Sequence, residues 1–104
     1  MSPAPADPRA RASTAGPVLV IGTGLLGTSL ALALRAAGVE VQLADTSPTS
    51  LALARDMGAG ALHGEDSPEP QVVVVATPPD VTADVVVAQL SAHPSAVVTE
   101  IGRA

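Results

Sequence analysis

Cysteine, phenylalanine, tyrosine, tryptophan and lysine are all missing from this 104-residue sequence. Without cysteine there is no disulfide framework, no thiolate metal site and no cysteine nucleophile, a pattern that fits a cytoplasmic protein. Without aromatic rings the core has to be assembled from Ala, Val and Leu, whose side chains each bury little area. Hydrophobic residues make up 47% of the chain, enough for one such core. A domain of this size and make-up is expected to be marginally stable unless another surface covers it. Positive charge is scarce as well: five scattered arginines face ten acids, for a net charge of -5. With no basic patch, the sequence argues against nucleic acid or an anionic membrane as a partner. Glycines and threonines break up the apolar stretch from Val18 to Ala37, so no membrane span is expected. Residues 1–16 carry Pro3, Pro5 and Pro8 and lack an apolar signal-peptide core; they read as a flexible Pro/Ala-rich tail.

What is present is organised around residues 18–38. An all-aliphatic run, Val18 to Ile21, leads into Gly22-Thr-Gly24-Leu-Leu-Gly27. Leu25, Leu26, Ser29, Leu30, Ala33, Leu34 and Ala37 then follow at helical spacing, with Gly38 as a C-terminal cap. Strand, glycine turn and helix in that order make G-x-G-x-x-G a dinucleotide-binding fingerprint rather than a chance set of glycines. Gly22 permits the tight turn, Gly24 lets backbone approach a pyrophosphate, and Gly27 lets the helix pack closely on the strand. The free amides around Leu25 and Leu26, at the positive end of the helix, would hold the phosphates.

The rest of the chain repeats this alternation. Val39–Ala44 reads as a second strand ending in Asp45. Ser47 and Pro48 are N-cap and first-turn residues of a helix running to about Met57, with Gly58 as its stop. Residues 58–62 hold at most a short third strand, and 63–70 an acidic loop with two prolines. Gln71–Ala76 has no alternation and reads as a strand buried on both faces. A turn at Thr77-Pro-Pro-Asp80, a helix from Val81 to about Ser91 and a fifth strand at 96–101 complete the chain. The expected fold is α/β: a Rossmann-type doubly wound parallel sheet of about five strands, incomplete, over residues 17–104. Its last strand would be an open edge, implying a fragment or a surface covered by a partner.

Asp45 lies near the ~20-residue offset at which an acid accepts hydrogen bonds from the adenosine ribose. Thr46 and Ser47 follow where a 2′-phosphate site would offer Arg or Lys. NAD is therefore the expected cofactor. The cofactor-binding set is Gly22, Thr23, Gly24, Leu25, Leu26 and Gly27 from the first turn, Asp45, and Ala76, Thr77 and Pro78. The last three border the carboxyl edge of the sheet, where ligands bind in open α/β folds.

With these motifs placed, the chain resembles the amino-terminal half of prephenate or arogenate dehydrogenases. The matching residues are Val20 to Leu34, Leu43-Ala-Asp45, Val74-Val-Ala-Thr-Pro-Pro79 and, less closely, Val98 to Gly102. The resemblance implies oxidative decarboxylation of prephenate, or oxidation of arogenate, in tyrosine biosynthesis, with hydride passing to a nicotinamide. It also implies a helical domain that builds the active site and a homodimer. After the fifth strand the family continues Gly-Ser-Val-Lys, where this chain has Gly102-Arg-Ala. The later His-Pro-Met-Ala-Gly motif and the basic residues that bind substrate carboxylates are missing. The chain is thus expected to be truncated before its catalytic half and inactive alone.

No residue here qualifies as a general acid or base, and no metal ligands cluster. His93-Pro94 precedes a strand and reads as a turn; His63, Glu65, Asp66 and Glu69 read as a solvated loop. Asp80 and Asp84 suit a helix N-terminus better than paired-carboxylate chemistry. Two alternatives stay open: another small-substrate NAD(P) oxidoreductase, such as an imine reductase or hydroxyacid dehydrogenase, and a non-catalytic nucleotide-sensing module.

Overall fold

Val18–Ile21, four β-prone or leucine residues in a row, form strand β1 at the centre of the computed structural model, which describes residues 16–101. The expectations for the N-terminal tail and for Gly102–Ala104 lie outside the described residues. Helix α1 (Leu25–Ala36) follows and ends where Gly38 takes a positive φ of 87°. The Gly38 amide donates to Arg35 O and the Val39 amide to Leu34 O, which closes the helix in a Schellman turn. That closure occupies Val39, so β2 is Val41–Ala44 and starts two residues later than the sequence pattern suggests. Helix α2 (Pro48–Asp56) opens on the Ser47 cap, whose hydroxyl accepts from the Ser50 amide at 3.3 Å. Strand β3 is only Ala61–Leu62; β4 is Val72–Val75. Helix α3 (Pro79–Ala92) begins inside the expected turn, with Pro79 at the first helical position where its missing N–H costs nothing. Strand β5 is Val97–Glu100.

The sheet order is β3-β2-β1-β4-β5 and every pair is parallel. Strand order reverses between β1 and β4, so the chain leaves these neighbours in opposite directions and a crevice opens at their carboxyl ends. Helices cover both faces. Val20, Val41 and Leu43 meet Ala31 of α1 and Ala54 of α2 on one face; Leu19, Val73 and Val75 meet Val85 and Val86 of α3 on the other. This is the doubly wound Rossmann architecture. Among the described residues no helix is long and apolar enough to cross a membrane.

Residues 63–70 carry the chain from β3 back to β4, where no helix forms, and a polar cluster fills the gap over β2. Gln42 alternates with Val41 and Leu43 and is only 2% exposed. Its Nε2 donates to Pro68 O at 2.7 Å, which leaves Oε1 to accept from His63 Nδ1 at 2.8 Å. His93, buried at the end of α3, pairs its Nδ1 with Glu69 Oε2 at 2.8 Å, and the two imidazoles meet edge to face at 5.7 Å. The solvated-loop reading of His63 is therefore corrected, since its ring is half-buried and bonded to Gln42. Glu69 stays exposed and His93 does sit at the turn before β5, and their contact adds a tie between the crossover and the end of α3. Burial, then the neighbouring His93, push the His63 pKa below the ordinary imidazole value, against the opposing pull of Glu69. The unfolded chain then takes up a proton before the folded one. Stability from this group is present above pH ~6.5 and is lost as pH falls below it. Melting temperature should drop from pH 7.5 to 5.5, and His63→Gln should flatten that decline; an equally steep profile in the variant would place its source elsewhere.

Candidate nucleotide-binding site

The crevice between β1 and β4 is a cleft of about 600 Å³. On one side β1 ends at Ile21 and the chain turns at Gly22, whose φ of +100° is open to glycine at little cost. A Cβ there would also meet Ala76 O at 2.5 Å. The Gly22 amide donates to Ala44 O at 2.8 Å and the Ala76 amide to Ile21 O at 2.7 Å, so the three loops at this sheet edge are tied together. Gly27, one turn into α1, packs directly on Gly22: a Cβ there would be 1.9 Å from Gly22 O.

Gly24 differs. It is the N-cap of α1, and a Cβ built on it meets nothing within 4 Å, because it looks into the cleft. No side chain caps α1, and no acidic residue lies in its first turn. Its first amides and the positive end of its dipole are therefore left for an anion. Leu25 is 89% and Leu26 51% exposed at this mouth.

Asp45, just past β2, closes the cleft on another side. Its Oδ2 accepts from both the amide (2.6 Å) and the hydroxyl (2.7 Å) of Thr23, and its Oδ1 accepts from the Ser47 amide at 2.8 Å. Burial pushes the carboxyl pKa up, but the Ser47 and Thr23 amides, the Thr23 hydroxyl and the Thr46 amide together outweigh it and hold the pKa below the usual range. The group is an anion at neutral pH. The third side is the turn Ala76–Pro78, braced by Thr82 of α3, whose Oγ1 lies 2.9 Å from Pro78 O and 3.1 Å from Thr77 O.

Of the residues singled out from the sequence, the structure brings Gly22, Gly24, Leu25, Leu26, Asp45, Ala76, Thr77 and Pro78 to the cleft wall. Thr23 and Gly27 are buried behind it and shape it without lining it. The sequence reading missed Ile21, Thr46, Ser50, Pro79, Val81 and Val85 in the lining. Val81 and Val85 were findable, since i and i+4 on the first turns of α3 share a face.

These residues fit a dinucleotide: a glycine with open space above it, an uncapped helix start and a carboxylate one strand away. Neither described arginine that could meet a 2′-phosphate, Arg35 or Arg55, lines the cleft. Among the lining residues Asp45 is the sole ionisable one, and it is engaged as an acceptor, so the cleft holds no proton-transfer group of its own.

Residues 17–101 match the family described as NADP oxidoreductase, coenzyme F420-dependent. A probable prephenate dehydrogenase, NovF, from Streptomyces niveus is 46% identical over 74 residues, 70% of this chain and 20% of that protein. An NADP-dependent shikimate dehydrogenase from Thermus thermophilus is 43% identical over 63 residues, 60% of this chain and 24% of that protein. The chain thus spans between a fifth and a quarter of these curated relatives. Among solved structures, Synechocystis arogenate dehydrogenase superposes with a TM-score of 0.71 at 24% identity, covering 82% of this chain and 32% of the other. A putative NADP oxidoreductase from Bacteroides fragilis gives 0.69 at 21% identity, covering 82% and 35%. At that identity the superpositions speak to fold.

Proposed function

We propose that this chain, which belongs to the coenzyme F420-dependent NADP oxidoreductase family, is the NAD-holding part of a prephenate dehydrogenase-type enzyme. The coarser statement, an NAD(P)-binding oxidoreductase domain, follows from the family; the choices of NAD and of prephenate or arogenate are our inference. The observation that carries the cofactor choice is Asp45: an ionised carboxylate beside the cleft, with no arginine in the lining, repels a 2′-phosphate and accepts from a ribose hydroxyl. The substrate choice is supported by the identity to NovF.

In this reading the amides at the start of α1 hold the pyrophosphate, Asp45 the adenosine ribose, and the wall from Ala76 to Val85 the nicotinamide half. The bound nicotinamide supplies the hydride acceptor; this chain supplies its position. The acid–base group and the substrate carboxylate site belong to a further domain in a cytoplasmic homodimer. Within this reading the chain alone turns nothing over.

The test is a titration with NADH and NADPH followed by ligand fluorescence, for which a protein without Trp or Tyr gives almost no background. NADH should bind at least about tenfold more tightly than NADPH, a difference of roughly 1.4 kcal/mol. Asp45→Asn should weaken NADH and erase most of the preference. An unchanged NADH affinity in that variant sinks the assignment. A wild-type preference for NADPH would favour a second reading, another small-substrate NAD(P) oxidoreductase, which the match to NADP-dependent shikimate dehydrogenase supports.

A further inference from the structure

We propose that Thr23 is the positioning residue that sets the cofactor preference of this cleft, by locking the Asp45 carboxylate in place. The inference rests on the reading of Asp45 as the ribose acid and adds the residue through which that acid works. Thr23 is 5% exposed and lies outside the lining of the main cleft, reaching only the adjoining hollow between α1 and α2, so its effect on a nucleotide in the cleft runs through the group it holds. Both of its donors converge on one oxygen: the amide at 2.6 Å and the hydroxyl at 2.7 Å from Oδ2. A carboxylate oxygen offers about two acceptor sites, so Oδ2 is saturated by this single residue. Oδ1, which accepts from the Ser47 amide at 2.8 Å, is the oxygen left for a ribose hydroxyl.

Thr23 is itself held. Its carbonyl accepts from the Thr28 hydroxyl at 3.0 Å in a buried contact. A relay from the first turns of α1 through Thr28 and Thr23 therefore ends on Asp45 and fixes the end of β2 against the glycine turn. The β-branched side chain is restricted about χ1, which keeps the hydroxyl aimed.

The consequence is for discrimination. An exposed carboxylate on a free rotor swings aside when a 2′-phosphate arrives and excludes it weakly. A carboxylate held by three donors on two segments cannot move without breaking charge-assisted bonds, so its charge stays where the phosphate would sit. Selectivity against NADPH is then a property of the Thr23–Asp45 pair.

Thr23→Val keeps the shape and the amide and removes the hydroxyl. In the full chain, the NADPH-to-NADH ratio of dissociation constants should fall by roughly tenfold, mainly through tighter NADPH binding. Thr23→Ser should restore the ratio to near wild type. Added to Asp45→Asn, Thr23→Val should change the ratio no further, because the two act as one unit. Backbone circular dichroism checks folding, and if the valine variant does not fold, Thr23→Ala, which cannot overpack, takes its place. If the hydroxyl-less variant keeps the wild-type ratio while Asp45→Asn collapses it, Thr23 is a loop brace only and the proposal is overturned. If Asp45→Asn also leaves the ratio unchanged, the ribose reading itself falls and takes this inference with it.

Discussion

Gly27→Ala should cost the fold about 2–3 kcal/mol and lower the melting temperature by roughly 10–20 °C. Helix propensity alone points the other way, since alanine is favoured over glycine in a helix interior by up to ~1 kcal/mol. The clash decides the sign. The new methyl carbon would be 1.9 Å from Gly22 O, a backbone atom in a turn whose own amide is bonded to Ala44 O at 2.8 Å. Neither partner is a flexible side-chain end, so relief requires α1 to lift from β1 or the turn to open. Either move separates the two walls of the cleft, and NADH binding should be lost with the stability. Gly24→Ala is the control. Its methyl group meets no protein atom within 4 Å and its φ of -72° suits alanine, so the melting temperature should hold. NADH affinity should nevertheless fall by an order of magnitude or more, because the methyl group stands where backbone must approach the pyrophosphate. Melts are followed by backbone circular dichroism, since there are no aromatic reporters. A stable Gly27→Ala chain would mean that helix and turn are more loosely joined than the geometry says.

The contrast between two glycines three residues apart shows how far the sequence could be read. The G-x-G-x-x-G pattern carries both roles because each is a steric demand that only a missing Cβ meets, and steric demands leave a residue-type signature. The same holds for the Schellman stop at Gly38, for Pro48 at a helix start and for the unbroken Val72–Val75 strand between two apolar layers. Element order and the two-faced parallel sheet follow from such local signals. Hydrogen-bond partnership between distant segments leaves none. Nothing in a threonine at 23 and an aspartate at 45 announces that they share Oδ2, and the ribose role could be assigned to Asp45 only because its offset is a recurrent one. The crossover at 63–70 misled for a related reason. Acids, prolines and a histidine look the same whether solvated or folded over a buried Gln42, and His63 and His93 meet only through a sheet register that spacing does not reveal.

Leu43→Ala should remove about 3–5 kcal/mol, the upper part of the range for a buried leucine. Against the roughly 5 kcal/mol that a domain this small can muster, that is most of its stability. Leu43 is fully buried, and its neighbours in the cluster include Ala31, Ala54 and Ala59. Alanines have no rotamers with which to fill a hole, and Val20 and Val41 are stiff about χ1. The leucines packed against the cluster, Leu32, Leu34 and Leu51, are only partly buried and stand outside its fully buried set. The cavity therefore persists and the full penalty is paid. Leu43 also sits between Val20 of β1 and Leu62 of β3 in the sheet, two residues before Asp45, so core and site share this strand. The site can in turn support the core: a ligand that binds only the folded chain at a hundred times its dissociation constant adds ~2.7 kcal/mol. Leu43→Ala should accordingly be largely unfolded alone at 37 °C and recover helical circular dichroism as NADH is added to saturation. Gly24→Ala in the same background should push that recovery to at least about tenfold higher NADH, since it weakens the binding and leaves the core as it was. Recovery at the same NADH concentration with and without Gly24→Ala would show that NADH acts on this chain somewhere other than the cleft between β1 and β4.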